Sequence, residues 1–394
     1  MVVKNFDAHQ AVGAARFEYI DGLRGLAAMM VVITHIAHAA AVKHPGILGA
    51  SVETLADLGR HGVQIFFVLS GFVIAHSVSR GAHSFRYLGL FAGRRFVRLD
   101  LPYWCIIALE LVLLAISGLV MAQYARDLPS TGEIVANAMY LQVFLGYEHI
   151  LPVFWTLCYE VQFYLAFVLA LVLLAKLREF GLSSRTTKQV ATIALTASFC
   201  LSLAIYLGQL PMPHQALFFD RWFQFAFGVA TYLYFRGRCS GAWIAAGTLA
   251  CIAGAAAFGA DGYRVISTLV TAATGLAILA SLRFAWWNSL MVGPSMQFLG
   301  RISYSLYLIH TSIGWRTTVL AREMMGSAYS TAAAYLAFGL GVLASVVGAW
   351  VMYLLIERPA ISIARKIPLP QRPTYAGQTN PVSADGSVRS SGVA

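Results

Sequence analysis

Apolar stretches about twenty residues long recur along nearly the whole of this 394-residue chain. Each is long enough to cross a hydrocarbon core about 30 Å thick as one helix. In that solvent every backbone polar group must be satisfied within its own segment, so helices are the expected element and an all-α, polytopic bundle the expected fold. About ten stretches meet the length criterion, near 22–42, 62–79, 101–122, 150–175, 189–208, 217–235, 242–259, 263–282, 298–315 and 331–356. The run 134–146 is too short to span and reads as a surface or re-entrant helix.

Composition agrees. Only 11% of residues are charged, against about 25% in a soluble domain. The net charge of +11 could signal nucleic acid, but its distribution argues for topology. With the N-terminus inside, twenty-one of the 28 Lys and Arg residues fall in alternate, cytosolic segments. Basic residues retained on the cytoplasmic side set the orientation of membrane proteins. The expectation is an even number of spans, both termini cytosolic and no nucleic-acid partner.

The chain divides into a short cytosolic segment, 1–18, a transmembrane domain, 19–360, and a cytosolic tail, 361–394. The tail is rich in Pro, Ser and Gly beyond about residue 367 and is expected to be disordered. No cleavable leader is expected, because polar residues fill the first 18 positions. Cys105, Cys158, Cys200, Cys239 and Cys251 form no CxxC and no zinc spacing. They read as small packing residues, and no metal site is expected. Inverted repeats of the transporter kind are not visible.

Polar groups inside a bilayer are costly, so each asks for a reason. Four clusters stand out. In YIDGLRGLAAMMVVITHIAHA, Arg24 and His35 lie eleven residues apart, close to three helical turns, on one face and roughly 16 Å apart along the axis. Arg24 then sits at the cytosolic interface and His35 near the midplane, where an imidazole can take and return a proton. In GVQIFFVLSGFVIAHS, Ser70 and Gly71 are small residues that permit close helix contact. The segment that follows, RYLGLFAGRRFVRLDLPYW, carries Arg95 and Arg98 one turn apart, a pair suited to phosphates. Its alternative reading is charge that merely sets topology.

The third cluster is PVFWTLCYEVQFYLAF. Glu160 shares a face with Thr156, Phe163, Tyr164 and Phe167. It either orients or compensates a histidine or closes a structural ion pair. Glu110, in the third apolar run, has no polar neighbours in sequence and reads as structural. The fourth is FLGRISYSLYLIHTSIGW, where Ser303, Tyr304, Tyr307 and His310 form a polar stripe. Its alternative is interhelical hydrogen bonding.

Span counting brings His35, Glu160, Ser70 and His310 to one depth with the arginines below. One arrangement accounts for this: an anionic carrier docked at the cytosolic arginines, with its acyl end reaching His35. The rival from another class is a proton-coupled secondary transporter using His35 and Glu160 as a relay.

As a set in this order, YIDGLRGLAA…H, FFVLSGFVIA, RRFVRLDLPYW, FWTLCYEVQFYL, LGRISYSLYLIH and the final IERP resemble the acyltransferase 3 family, over roughly residues 17–360. The resemblance implies about ten membrane helices and an O-acyltransferase that uses acyl-CoA, often acetyl-CoA, as donor substrate with no permanently bound cofactor. The acceptor it implies is a hydroxyl of a carbohydrate or lipid-linked sugar. It implies an Arg-x10-His pair at Arg24 and His35, donor binding by the RxxR arginines Arg95 and Arg98, and a motif falling on Trp155, Thr156, Leu157, Glu160, Phe163 and Tyr164. The expected catalytic residues are His35 and Glu160. The expected substrate-binding residues are Arg24, Arg95, Arg98, Ser70, Trp155, Tyr164, Tyr304 and His310. One departure is visible: Leu101 stands where many members have proline ahead of Pro102, and it is expected to alter only the start of the third helix. The expected location is the bacterial inner membrane. Oligomeric state leaves no mark in the sequence.

Overall fold

The computed structural model describes residues 2–120, 127–259 and 261–371, with side chains described from residue 18 and none at 118–120. The described residues are helical with no strand, apart from one isolated bridge between Gly81 and Gln371. In chain order the helices are α1 (Val2–Ala41), α2 (Ala50–Leu58), α3 (Gly62–Val78), α4 (Phe85–Val120) and α5 (Thr131–Ala138). There follow α6 (Phe154–Glu179), α7 (Ser184–Tyr206), α8 (Trp222–Phe235), α9 (Gly241–Phe258) and α10 (Gly262–Arg283). The series ends with α11 (Ala285–Ser289), α12 (Pro294–Ile309), α13 (Arg316–Met325), α14 (Thr331–Met352) and α15 (Arg358–Arg365). Serine or aspartate caps hold four helix starts, where Ser130, Ser183, Asp261 and Ser330 accept from backbone N–H groups three residues on.

Among the described residues eight helical stretches are long and apolar enough to cross a membrane, including Glu18–Ala41, Ala50–Val78, Phe85–Ser117, Phe154–Glu179 and Thr331–Arg365. The chain is an integral membrane protein. Two of the ten expected segments, 217–235 and 298–315, fall on α8 and α12. These helices have 14 and 16 residues and are largely enclosed by their neighbours. Enclosure satisfies by packing what a lone span must satisfy by length. A π turn, His310–Trp315, carries α12 into α13.

Two crossings begin earlier than the sequence reading places them. The second crossing begins at Ala50, because α2 and α3 join through the turn Gly59–His61. The third begins at Phe85, so Arg86, Arg94, Arg95 and Arg98 stand on α4 itself and only Arg80 lies in the preceding turn. Pro102 therefore sits inside α4, not at its start. There the Leu99 carbonyl accepts from the Tyr304 hydroxyl at 2.7 Å, next to the Arg98 carbonyl, whose i+4 helix donor would have to come from Pro102, a residue with no N–H. The run 134–146 becomes α5 and a returning loop that leans on the middle of α4. The Tyr103 hydroxyl and the Trp104 indole donate to the carbonyls of Asn137 and Ala138. In the tail, residues 367–371 turn back toward Gly81, with Ala82 N donating to the Pro370 carbonyl at 3.0 Å. The rest of the tail expected to be disordered, 372–394, lies outside the described residues.

The centre of the bundle is the pair α1 and α12, which run parallel: Gly25 abuts Leu299 and Gly300, and His35 meets His310. A Cβ on Gly25 would lie 2.6 Å from the Gly300 nitrogen and 2.8 Å from the Leu299 carbonyl carbon. Only glycine allows this approach, which sets the two histidine-bearing faces together. Gly71 plays the same part where α3 crosses α8 against the Phe225 backbone.

Candidate active site

Five helices enclose a cavity of about 790 Å³, its open mouth included. α1 contributes Arg24, α3 Ser70, α4 Arg95 and Arg98, α6 Glu160 and Tyr164, and α12 Tyr304 and Tyr307. Ser70 Oγ donates to Glu160 Oε1 at 2.6 Å, and the Tyr164 hydroxyl donates to the same oxygen. The Arg95 guanidinium lies 4.9 Å above the Tyr164 ring and 5.5 Å from that of Phe91. Cation–π contact of this kind holds a guanidinium in place without using up its N–H donors.

A second carboxylate borders the arginines. Glu357 belongs to the IERP motif, on the π turn Tyr353–Glu357 after α14. Ser305 Oγ donates to its Oε2 at 2.6 Å, and the Ser305 N–H lies at 3.2 Å. Its charge acts on Arg98, as that of Glu160 acts on Arg95 and Arg98. Three guanidiniums against two carboxylates leave a net positive pocket, the electrostatics of an anion site. Glu357 was missed because its neighbours come from α4 and α12, distant in sequence. The available signal was an acid inside an otherwise apolar helix end.

The histidines form a separate group farther along α1, beyond Arg24 by eleven residues or roughly 16 Å. His310 Nε2 lies 3.3 Å from His35 Nδ1, and the rings are 4.9 Å apart. His310 is fully buried. Its Nδ1 faces the Leu306 carbonyl at 3.2 Å, and His35 Nδ1 faces the Val31 carbonyl at 2.9 Å. Carbonyls only accept, so in the neutral pair both Nδ1 atoms carry the proton. His35 Nδ1–H then points at two acceptors, Val31 O and His310 Nε2, and its Nε2 keeps a lone pair. Tyr307 connects the two groups. Its hydroxyl lies 2.7 Å from Thr156 Oγ1 on the cavity wall, and its ring centroid is 5.9 Å from that of His310.

Span counting set Glu160 and Ser70 at the depth of His35 and His310. The structure separates the two pairs. With α2 joined to α3, Ser70 falls late in its crossing, and Glu160 follows it to the arginines; among the described residues no ion-pair contact joins Glu160 to His35. Trp155 also lies off the cavity. It points about 100° from Thr156 and about 140° from Glu160 around α6, and packs on Phe67 and Tyr159, with Arg221 5.7 Å over its ring. Glu110 does have polar neighbours, supplied by other elements. Arg316 Nη2 and Nη1 reach its two oxygens at 2.6 and 2.8 Å, and Ser312 donates at 2.8 Å. This ion pair lies away from the cavity.

The model of the acyltransferase 3 family, described as an acyltransferase domain, matches residues 17–354. The membrane-bound transacylase BcsY of Komagataeibacter xylinus is 28% identical over 377 residues, covering 90% of this chain and 85% of its own. The acyltransferase MdmB of Streptomyces mycarofaciens is 27% identical over 397 residues, covering 93% of this chain and 97% of its own. No solved structure matches the chain at a comparable level. With a polytopic helical fold and a family match across nearly all of it, the chain belongs to the acyltransferase 3 family and is a membrane-embedded O-acyltransferase.

Proposed function

We propose that this enzyme moves an acetyl group from acetyl-CoA, entering from the cytosol, to a hydroxyl of a carbohydrate or lipid-linked sugar in a bacterial inner membrane. Residues 19–360 form the catalytic unit in this reading, with both termini cytosolic. The observation that carries it is the convergence of Arg24, Arg95 and Arg98 on one cavity whose wall leads through Tyr307 to the His35–His310 pair. The arginines take the phosphates of the donor, and its pantetheine arm extends toward His35. The transacylase and acyltransferase names of the two relatives support acyl transfer.

In the transfer step His35 Nε2 takes the proton of the acceptor hydroxyl as its oxygen bonds to the thioester carbonyl carbon. The C–S bond then breaks, and the departing thiolate recovers that proton from the imidazolium, so CoA leaves as a thiol. His310 acts through His35: its Nε2 accepts from Nδ1–H, fixing the tautomer and favouring the imidazolium while it exists. Glu160 is assigned a different task from the one its sequence position gave. Held by Ser70 and Tyr164, it offsets part of the arginine charge and keeps the guanidiniums ordered when no donor is present. Tyr304 buttresses α4 beside Arg98. Trp155 supports the wall from outside.

A proton-coupled transporter would need His35 and Glu160 in one relay, and their separation argues against it. The test is acetyl-CoA consumption by purified protein with candidate acceptors. Thiol release that requires His35 supports the reading. No thiol release from any acyl-CoA, with folded protein, would overturn it.

A further inference from the structure

A second, open cleft of about 610 Å³, its mouth included, lies farther along the same helices. It is bounded by Arg80 after α3, Arg94 on α4, Arg365 at the end of α15, and the segment 367–371. That segment is anchored as one wall by the Gly81–Gln371 bridge and by packing of Leu369 against the core. No acidic side chain lines this cavity, and none of its three arginines forms an ion pair among the described residues.

Arginines that merely set topology gain nothing by sharing a cleft, where like charges repel. Here the turn after α3 and its neighbour α4 meet the distant end of α15 in one cleft, and Arg94 is only half-buried while Arg80 and Arg365 are exposed and open to a ligand. The two cavities are consecutive: Ile74 lines the first and Ser77 the second, one turn on along α3, and Arg94 adjoins Arg95 on α4.

We infer that this cleft binds the 3′-phosphorylated nucleotide end of the donor, with Arg80, Arg94 and Arg365 holding the 3′-phosphate and Arg24, Arg95 and Arg98 holding the diphosphate. The inference rests on the proposed donor reading. A phosphomonoester carries close to two negative charges and three acceptor oxygens, which suits several guanidiniums better than one. It also gives the segment 367–371 a role, as the wall that closes the nucleotide cleft.

The experiment compares the affinity of the full chain in lipid nanodiscs for acetyl-CoA and for 3′-dephospho-acetyl-CoA. The wild type should prefer acetyl-CoA by tenfold or more. Arg80→Gln, Arg94→Gln and Arg365→Gln should each remove part of that preference, and the triple variant should bind both compounds alike. The single variants keep the test alive if the triple variant misfolds. Equal affinity of the wild type for the two compounds overturns the inference while leaving the donor reading intact. Persistent preference in the variants does the same. If instead the variants lose only the binding of an anionic lipid, the cleft is a headgroup site and the inference falls. Failure of the wild type to bind either compound would refute the donor reading itself.

Discussion

Replacing His310 by alanine isolates the coupling between the two histidines. The side chain is fully buried and meets His35 through one hydrogen bond of 3.3 Å. If His35 becomes an imidazolium during transfer, that bond is charge-assisted, and such bonds contribute about 1.5–3 kcal/mol. Val31 O, at 2.9 Å, still accepts the same proton after the change, so the loss belongs at the lower end. About 1.5 kcal/mol corresponds to roughly a tenfold fall in kcat. Donor affinity should be unaltered, because Arg24 lies roughly 16 Å away along α1. His310→Gln places an amide oxygen where Nε2 stood and should recover most of the rate; His310→Phe fills the space without an acceptor and should not. The assay is thiol release at saturating donor and acceptor, in membranes matched for protein amount. The decisive arm is the double variant. His35→Ala should cost about 10²–10⁴-fold, and His310→Ala added to it should cost almost nothing more, since no imidazolium remains to be stabilised. Multiplying penalties would refute the coupling, and an unaltered rate in His35→Ala would refute the general base.

Arg95→Ala with Arg98→Ala should raise the acetyl-CoA dissociation constant at least tenfold, each lost phosphate contact being worth about 1.5–3 kcal/mol; unchanged affinity in calorimetry would reduce the pair to a topology signal. Glu110→Ala leaves Arg316 unpaired within the bundle and should destabilise it by about 3 kcal/mol, the lower end for a broken buried pair because the Arg316 side chain is 29% exposed; thermal unfolding in detergent measures it, and an unmoved midpoint would remove the pair from the structural frame. Gly25→Val should abolish folded protein, since its Cβ would press on the Leu299–Gly300 backbone; a well-folded variant would contradict the parallel α1/α12 contact. Reporter fusions at residue 182 should read as cytosolic and those at 52 and 325 as external, and the opposite pattern would turn the arginine cavity away from cytosolic donor.

The sequence by itself determined the solvent and therefore the fold class. Twenty-residue apolar runs leave the backbone no option but helix, and the alternation of basic segments carries an orientation. It also nominated most of the candidate site: Arg24, His35, Glu160 and His310 are conspicuous because they stand within apolar runs, and Arg95 and Arg98 because they lie one turn apart in the basic segment between two of them. Spacing on a single helix is local geometry, so Arg24 and His35 could be set on one face without knowing any neighbour. Pairing between helices is another matter. Depth was counted from where each apolar run begins, and α2 and α4 begin their helices well outside those runs, which moved Ser70 and Arg95 relative to His35. Glu160 went to Ser70 and Tyr164 and not to His35, His35 found His310, Glu110 found Arg316, and Glu357 joined the arginines. Those choices depend on which helices touch and at what height, and that is settled by glycines such as Gly25 and Gly71, whose missing side chains let two backbones meet. A missing side chain leaves no polar signal in the sequence; its effect is visible only when the partner backbone is in place.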